Sequence, residues 1–267
     1  MKPLEYPAYL DHIRAESVRF RELLADCDPS ARVPSCPDWT AADLLCHLAN
    51  VQHWWTWVLR HRPSAPDDYV EPERPDSHTA LLSYFDQGLE SLPHALSAAD
   101  PDERAWSWSA DPAHHRVGWI ARRQAHEALI HRVDAELVAG EPTALDPVLA
   151  ADGVEECLAV MYGGLPPWGA FDPLTQHVEL RMPDVGTSVW VRLGLFSGTS
   201  PKGEVHSGEK DLHLVDDPGV EADAVVTADA GTLDAWLWHR ADGDAVRLSG
   251  DEGALAHLRE VLSQSIG

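Results

Sequence analysis

The sequence predicts an α+β protein of two domains, with a four-helix bundle over residues 1–164 and a small α+β domain over residues 165–267. Three observations support this division. Apolar residues in the first half recur with the period of helices. Residues 163–167 read Gly-Gly-Leu-Pro-Pro, a run that interrupts helices and strands alike. After this run, apolar and polar residues alternate as they do in half-buried strands.

The first half is expected to contain four helices, which span about residues 9–25, 41–59, 81–96 and 117–139. Thr40 is placed as the N-cap of the second helix, and Asp43 three residues later approximates a capping box. Pro93 falls inside the third helix, where it favours a kink. Gly140 is a natural stop for the fourth helix. A fifth helical segment over residues 147–162 leads to the domain boundary.

The remaining segments are predicted as loops, strands and short helices. A proline-punctuated loop covers residues 33–39, just before the second helix. In the second half, strands are expected at residues 176–182, 188–195, 212–215, 224–227 and 245–248. Helices are expected there at residues 231–239 and 251–263.

The composition limits the partners of the protein. Its 267 residues carry a formal net charge of −24, which repels nucleic acid and anionic lipid, so neither is expected as a partner. No apolar run is long enough to span a bilayer, and the N-terminal residues lack the continuous apolar segment of a signal peptide. We therefore expect a cytoplasmic protein without a membrane partner, in which an anionic substrate needs a metal or a positioned arginine.

The motifs of several enzyme classes are missing. The sequence has no G-x-S-x-G, no P-loop and no G-x-G-x-x-G after a strand, so it gives no support to a serine hydrolase, a kinase or a dinucleotide enzyme. The cysteines form no C-x-x-C pair, which argues against a zinc knuckle, and cytosolic thiols are expected to be reduced. They are Cys27, Cys36, Cys46 and Cys157.

His47 is the first candidate for chemistry. It shares a face of the second helix with Leu44, Val51 and Trp54, an apolar stripe that is expected to be buried. A buried imidazole needs a hydrogen bond or a metal ion. Because most core histidines are only hydrogen-bonded, His47 alone leaves both interpretations open. His53 projects from another face and is expected to be solvated.

Glu127 and His131 on the fourth helix are the second and third candidates. Their i, i+4 spacing places them one above the other. With His47 they would form a His₂Glu set, which leaves a metal with an open position as in catalytic zinc sites. The alternative is an ordinary pair on a solvated face, and spacing alone does not decide between the two. Asp134 either orients His131 or is a surface charge.

These residues also carry a family resemblance. The run Val-Pro-Ser-Cys-Pro-Asp-Trp-Thr over residues 33–40, with Asp43-Leu44 and His47-Leu48 after it, resembles the N-terminal motif of the mycothiol-dependent maleylpyruvate isomerase family, a branch of the DinB-like bundles. The segment with His126-Glu127, His131-Arg132 and Asp134-Ala135-Glu136 resembles the second motif of that family. The resemblance implies a DinB-like four-helix bundle in which His47, Glu127 and His131 hold a divalent metal, usually zinc.

The second half resembles the C-terminal domain of the same family, a small α+β module likened to sterol-carrier folds. Its best anchor is the segment 233–240, which ends Trp-Leu-Trp-His-Arg. The resemblance implies that an arginine near this helix end helps to bind the anionic substrate or the thiol cofactor, and Arg240 is the residue we assign to this catalytic role. The alternative is a surface arginine that interacts with the helix dipole.

The resemblance implies a mycothiol-dependent, divalent-metal enzyme whose metal-activated thiolate attacks a small electrophilic or anionic substrate. In the isomerase reaction, the thiolate adds to the double bond of maleylpyruvate, the bond rotates, and the thiolate leaves as fumarylpyruvate forms. An S-transferase would use the same thiolate on another electrophile and leave it attached. Hydrolysis by a zinc-held hydroxide and a non-catalytic metal-binding scaffold are further alternatives.

Tryptophans cluster in three places, at residues 54–57, 106–108 and 236–238. Such residues line pockets in some proteins and fill the core in more of them. We therefore expect these tryptophans to be mainly core residues.

Overall fold

The computed structural model describes residues 3–264 and residue 266. These residues form two compact units, one over residues 4–144 and one over residue 3 and the chain from residue 145 onward. Each unit has its own core, and each is described in turn.

The first unit is a bundle of four helices, as predicted. The helices are α1 (Tyr6–Ala25), α2 (Ala41–His61), α3 (His78–Ser97) and α4 (Val117–Ala139). Helix α1 packs against α3 and α4, and α2 packs against the same two helices. Helix α1 begins three residues earlier than expected, because Pro7 stands in its first turn, where a missing N–H costs no hydrogen bond. The fully buried side chains of the core include Ile13, Phe20, Leu44, Leu48, Phe85 and Ile120.

The expected helix ends are present. Thr40 and Asp43 form the capping box: the Thr40 hydroxyl accepts from the Asp43 N–H at 3.2 Å, and the Asp43 carboxylate accepts from the Thr40 N–H at 2.9 Å. Gly140 closes α4 with a left-handed backbone, φ +71°, which L side chains rarely adopt. Helix α3 continues through Pro93 to Ser97 as one helix.

The segment predicted as a loop at residues 33–39 is instead a short β-ribbon. Strands β1 (Arg32–Val33) and β2 (Cys36–Thr40) pair antiparallel, and Ser35 lies in the turn between them. Pro37 is tolerated because the ribbon has only two strands, so one side of each strand needs no partner. The ribbon contacts α2 and α4, which brings its side chains to the face where the candidate ligands lie.

The second unit is a five-stranded sheet with helices. The strands are β3 (Gly169–Met182), β4 (Thr187–Thr199), β5 (Val205–Val215), β6 (Ala224–Thr227) and β7 (Arg247–Gly250), in the order β5-β4-β3-β6-β7. Strand β3 runs antiparallel to β4 and parallel to β6. The helices are α5 (Pro147–Glu156), which continues as π-helix over Cys157–Tyr162, α6 (Ala230–Leu237) and α7 (Glu252–Leu262). Helix α7 packs across the sheet.

The first three strands of this sheet are longer than the alternation predicted. Strand β3 begins at Gly169 rather than residue 176, and β5 begins at Val205 rather than residue 212. The extra residues pair with the far end of β4, which runs to Thr199, so their backbone groups are satisfied although their side chains do not alternate. Near the chain end, residues 243–245 form a 3-10 turn, and β7 starts two residues later than expected.

The boundary between the units falls between residues 144 and 145. The Gly-Gly-Leu-Pro-Pro run had predicted it between residues 164 and 165. The reason is the packing of α5, which contacts α6 of the second unit. Gly153 of α5 lies so close to Asp234 of α6 that a Cβ on it would stand 2.8 Å from the Asp234 carboxylate. Glycine therefore permits this helix pair, and α5 belongs with the sheet.

None of the helices in the described part of the chain combines the length and apolarity that a membrane crossing requires.

Candidate metal centre

The three predicted ligands meet on the first unit. One ligand atom from each of His47, Glu127 and His131 lies within 4.8 Å of the other two. Glu127 Oε1 is 3.4 Å from His47 Nε2 and 3.2 Å from His131 Nε2. The two imidazole rings lie 4.8 Å apart at 73°, so their nitrogen atoms converge from different directions. Two helices thus present a nitrogen, nitrogen and oxygen donor set to one point.

The burial of Glu127 and His131 shows whether they are a metal-binding pair or an ordinary pair on a solvated face, which their spacing left open. His131 is buried and Glu127 is only partly exposed, so they are not a pair on a solvated face. His47, expected on a buried stripe, keeps 35% of its side chain exposed, although Leu44 on the same face is fully buried. His53, expected to be solvated, is instead partly buried, and its ring stacks on that of Tyr84 with 4.1 Å between the centroids. The candidate centre therefore opens on the side of His47.

Asp134 orients His131 and is not a surface charge. It is completely buried, and its Oδ2 accepts a hydrogen bond from His131 Nδ1 at 2.9 Å. Its other oxygen accepts a hydrogen bond from the hydroxyl of Ser35, in the turn of the β-ribbon. With one proton held on Nδ1, Nε2 is the nitrogen that can bind a cation, either a proton or a metal ion.

Arg123 restrains Glu127 in a similar way. It is buried, lies one turn before Glu127 on α4, and donates to Glu127 Oε2 at 3.1 Å. The other carboxylate oxygen, Oε1, then points at the two histidines. The i, i+4 spacing of Arg123 and Glu127 was visible in the sequence and could have identified this contact. The role of Ser35 could not have been found that way, because it depends on the turn that carries it.

The electrostatics of the centre suit a cation. Burial raises the pKa of Glu127, but hydrogen bonds from His131 and His47 outweigh it and hold that pKa well below its ordinary value. Burial lowers the pKa of His131, but its hydrogen bonds to Asp134 and Glu127 raise that pKa to about 9. The buried carboxylate of Asp134 and the partly buried carboxylate of Glu127 therefore favour a positive charge between them, whether a proton or a metal ion carries it.

The donor set fits zinc or a similar divalent ion. Two imidazole nitrogens and one carboxylate oxygen are the ligands of many catalytic zinc sites. No fourth histidine, cysteine, aspartate or glutamate of the described chain joins the group. Cys46, next to His47 in sequence, is outside it, and all four cysteines are free thiols. Three protein ligands are the number that leaves a position for a substrate.

Trp39 of strand β2 covers the histidines. Its ring centroid lies 4.8 Å from that of His47, at an interplanar angle of 45°, and 6.3 Å from that of His131, at 28°. The indole therefore packs beside the His47 ring, which keeps part of its side chain exposed. Its position follows from the β-ribbon, which the sequence did not predict.

Arg240 lies in the second unit, just after α6. Its N–H donates to the carbonyl of Ala235 at 2.7 Å, and its guanidinium donates to the carbonyl of Trp238 at 2.5 Å. His239 before it has φ +61° and is held by a 2.6 Å contact between its Nε2 and the carbonyl of Leu262. These contacts agree with a helix-end arginine, and the catalytic role of Arg240 stays a prediction.

The tryptophans divide between core and surface. Trp55 and Trp238 are buried, as expected for core residues. Trp54, Trp106 and Trp119 are only partly buried, and Trp108 is 46% exposed. The expectation of a mainly core role therefore holds for only some of them.

Fold and site together define a class: a helical bundle that presents a three-residue candidate metal centre, followed in the same chain by an α+β domain. Comparison with known proteins narrows the class to one family. Residues 10–136 match the model of the mycothiol maleylpyruvate isomerase N-terminal domain, and residues 148–257 match that of the C-terminal domain of the same family. The chain belongs to the mycothiol maleylpyruvate isomerase family, which confirms the resemblance drawn from the motifs.

Solved structures support the same fold. The crystal structure of a mycothiol-dependent maleylpyruvate isomerase is 17% identical to this chain, with a TM-score of 0.55 over 92% of this chain and 93% of that one. A histidine-to-alanine variant of that isomerase gives 16% identity with the same TM-score and coverage. No curated protein sequence matches the chain. At these identities the likeness concerns the fold, which agrees with the predicted bundle and small α+β domain.

Proposed function

We propose that this protein is a mycothiol-dependent, divalent-metal enzyme that directs a thiolate at a small electrophilic substrate, as in the maleylpyruvate isomerase reaction. The convergence of His47, Glu127 and His131 carries the proposal. Family membership supports the choice of mycothiol as the thiol. A reduced thiol cofactor also favours a cytoplasmic location.

Each residue of the centre has a distinct part in this chemistry. A divalent ion held by His47, Glu127 and His131 would supply a position at which a thiol is bound as its thiolate. Asp134 keeps the proton of His131 on Nδ1, so that Nε2 serves as the ligand atom. Arg123 holds Oε2 of Glu127 and leaves Oε1 for the ion. Trp39 packs beside the His47 ring and limits how that ring can turn.

The reaction proposed for the substrate consumes no thiol. The thiolate sulfur of mycothiol bonds to one carbon of a cis double bond conjugated to a carbonyl, and the π electrons move to the carbonyl oxygen as an enolate. The former double bond is now a single bond and rotates, and the enolate electrons return to it. The sulfur then departs with its electron pair, and the trans double bond forms. Arg240 is our candidate for binding the carboxylate of such a substrate, since guanidinium and carboxylate pair through two hydrogen bonds.

A non-catalytic scaffold is the alternative of another class. Its metal site would be closed by a fourth protein ligand, since that is the usual form of a structural zinc site. The three-residue group and the exposed side of His47 favour the catalytic form.

The test begins with the metal content of the purified protein, measured by elemental analysis for wild type, His47→Ala and His61→Ala. His61 is the matched control, an exposed histidine at the end of the same helix. We expect about one equivalent of zinc or another divalent ion in the wild type and the control, and its loss in His47→Ala. Mycothiol-dependent conversion of maleylpyruvate is then followed in the same three proteins. Metal without thiol-dependent conversion of any electrophile would favour the scaffold.

A further inference from the structure

Beside the candidate metal centre lies a group of tryptophans to which the chemistry above assigns no task. We name Trp54, Trp106, Trp108 and Trp119 the tryptophan platform. We propose that the platform binds the planar, apolar part of the electrophile, so that the substrates of this protein include electrophiles with an aromatic group. This inference rests on the proposed thiol chemistry, and it specifies the substrate class of the same site.

The platform adjoins the ligands through α2. Trp54 follows His47 by seven residues, so both project from one face of the helix, about 10 Å apart along its axis. Val51 lies between them on that face, and all three side chains are partly exposed. Other residues of α2, such as Leu44 and Val58, are fully buried. An open strip therefore leads from the candidate metal centre to the platform.

The rings of the platform meet edge to face. The Trp54 centroid lies 5.6 Å from that of Trp106 at 85°. The Trp119 centroid lies 5.2 Å from that of Trp108 at 77°, and buried Trp55 contacts both Trp54 and Trp119 from beneath. A flat apolar group of a ligand can join such a cluster by stacking on an exposed ring face or by meeting a ring edge to face.

The polar groups around the platform argue for an apolar occupant over a sugar. Sugars need hydrogen-bonding side chains aimed at their hydroxyls. Here the Ser109 hydroxyl bonds His114 Nδ1 at 2.7 Å, and the Asp111 carboxylate accepts the Ala113 N–H at 2.8 Å. His115 Nε2 lies 3.0 Å from the carbonyl of Ser109. These groups build the loop itself, and the His114 ring stacks on Trp119 at 5.2 Å. The rings that the platform offers to an occupant are therefore those of Trp54, Trp106 and Trp108.

The span from His47 to Trp54 fits a small arylated electrophile. A phenyl ring with a short unsaturated carbonyl arm is about as long as this span, so a ring on the platform leaves the double bond between the platform and the centre, on the path of a thiolate held there. With benzylideneacetone, the thiolate sulfur would bond to the carbon that bears the phenyl group. The π electrons would move to the carbonyl oxygen as an enolate, and one proton from water would return to the neighbouring carbon. Nothing leaves, and no oxidant or reductant is consumed.

The inference is tested by binding, without any reaction. Benzylacetone lacks the double bond and cannot accept a thiol, so calorimetric titration of the whole metal-loaded protein measures binding without reaction. We expect saturable binding that Trp54→Leu weakens by about tenfold, the loss of one stacking partner. Trp106→Leu should weaken it similarly. Trp57→Leu is the matched control, because Trp57 stands on the same helix but stacks on His61, at 3.9 Å. Circular dichroism confirms that each variant is folded.

The outcomes separate this inference from the proposed function. Absence of saturable benzylacetone binding, or equal weakening by Trp57→Leu, overturns the platform whatever the thiol chemistry shows. The platform is also overturned if Trp54→Leu weakens the binding of mycothiol but not that of benzylacetone, since the sugar part of mycothiol would then be its occupant. The platform is supported if, with mycothiol, kcat/KM is higher for benzylideneacetone than for ethylideneacetone, and if Trp54→Leu reverses this preference. Intact benzylacetone binding without reaction of either ketone or maleylpyruvate retains the platform and overturns the thiol chemistry.

Discussion

Asp134 and His131 are bound to each other inside the bundle, with 2.9 Å between Asp134 Oδ2 and His131 Nδ1. The pair stands three residues apart on α4, and the Ser35 hydroxyl of the β-ribbon completes the contacts of the carboxylate. A chain of hydrogen bonds thus runs from a surface ribbon to a candidate ligand. Three predictions test how this pair controls the centre.

Removal of the Asp134 carboxylate should weaken metal binding. Asp134→Ala frees the His131 ring to rotate and to place its proton on either nitrogen, so we expect about 10- to 100-fold weaker zinc binding. Ser35→Ala should cause a smaller loss, because Asp134 keeps its bond to His131. The measurement is competition with a chromogenic chelator.

Ser30→Ala is the matched control for Ser35→Ala. Ser30 precedes the same ribbon, but its hydroxyl bonds the exposed Asp28 instead of Asp134. Its zinc affinity should equal that of the wild type. An Asp134→Ala protein that also binds zinc as tightly as the wild type would show that His131 needs no orienting partner.

Zinc binding should depend steeply on pH. The metal-free protein holds a proton on His131 up to a pKa of about 9, and zinc must displace it. The apparent affinity should therefore rise about tenfold per pH unit between pH 7 and 9 and level off above that range. Calorimetry in buffers of different ionisation enthalpy should detect about one proton released per ion near pH 8. Release of no proton would contradict the raised pKa of His131.

The stability of the metal-free protein should fall as the pH rises. The pKa of His131 is raised from 6.5 to about 9 on folding, so its stabilising contribution is complete below pH 6.5 and is lost as the pH rises through 9. The pKa of Glu127 is lowered from 4.5, so its contribution is present above pH 4.5 and is lost as the pH falls through the folded value. Thermal unfolding of metal-free protein should give the highest Tm between these limits. His131→Gln should remove the decline toward pH 9, and an unchanged decline would assign it to other groups.

Local sequence patterns predicted the helices of the bundle because the start, the end and the apolar face of each helix depend on the residues within it. The capping box at Thr40 and the left-handed backbone of Gly140 each depend only on residues next to them in the chain, so the sequence alone identifies them. The spacing of Glu127 and His131 is fixed by one helix in the same way. The meeting of His47 with that pair needed the packing of α2 on α4, which the family resemblance supplied.

What the sequence did not predict depends on how separate segments of the chain meet. The β-ribbon at residues 32–40 forms because two short segments pair across a turn that contains Ser35, and its proline pattern favoured a loop. The outer ends of β3, β4 and β5 are stabilised by one another, without alternating side chains. The platform was equally hidden, because Trp54 reads as core until the neighbours of its helix face are known.

The packing of α5 on α6 gives a prediction about the second unit. Gly153→Ala raises helix propensity in α5, yet its Cβ would lie 2.8 Å from the Asp234 carboxylate, so one helix must shift. We expect the variant to lose about 1–3 kcal/mol of unfolding free energy, the typical cost of overpacking. Urea unfolding measures this loss, and Gly243→Ala is the control, because its Cβ would meet nothing within 4 Å. A Gly153→Ala protein at least as stable as the wild type would mean that α5 can move off α6 without cost, and the close approach of these helices would not explain why α5 belongs to the second unit.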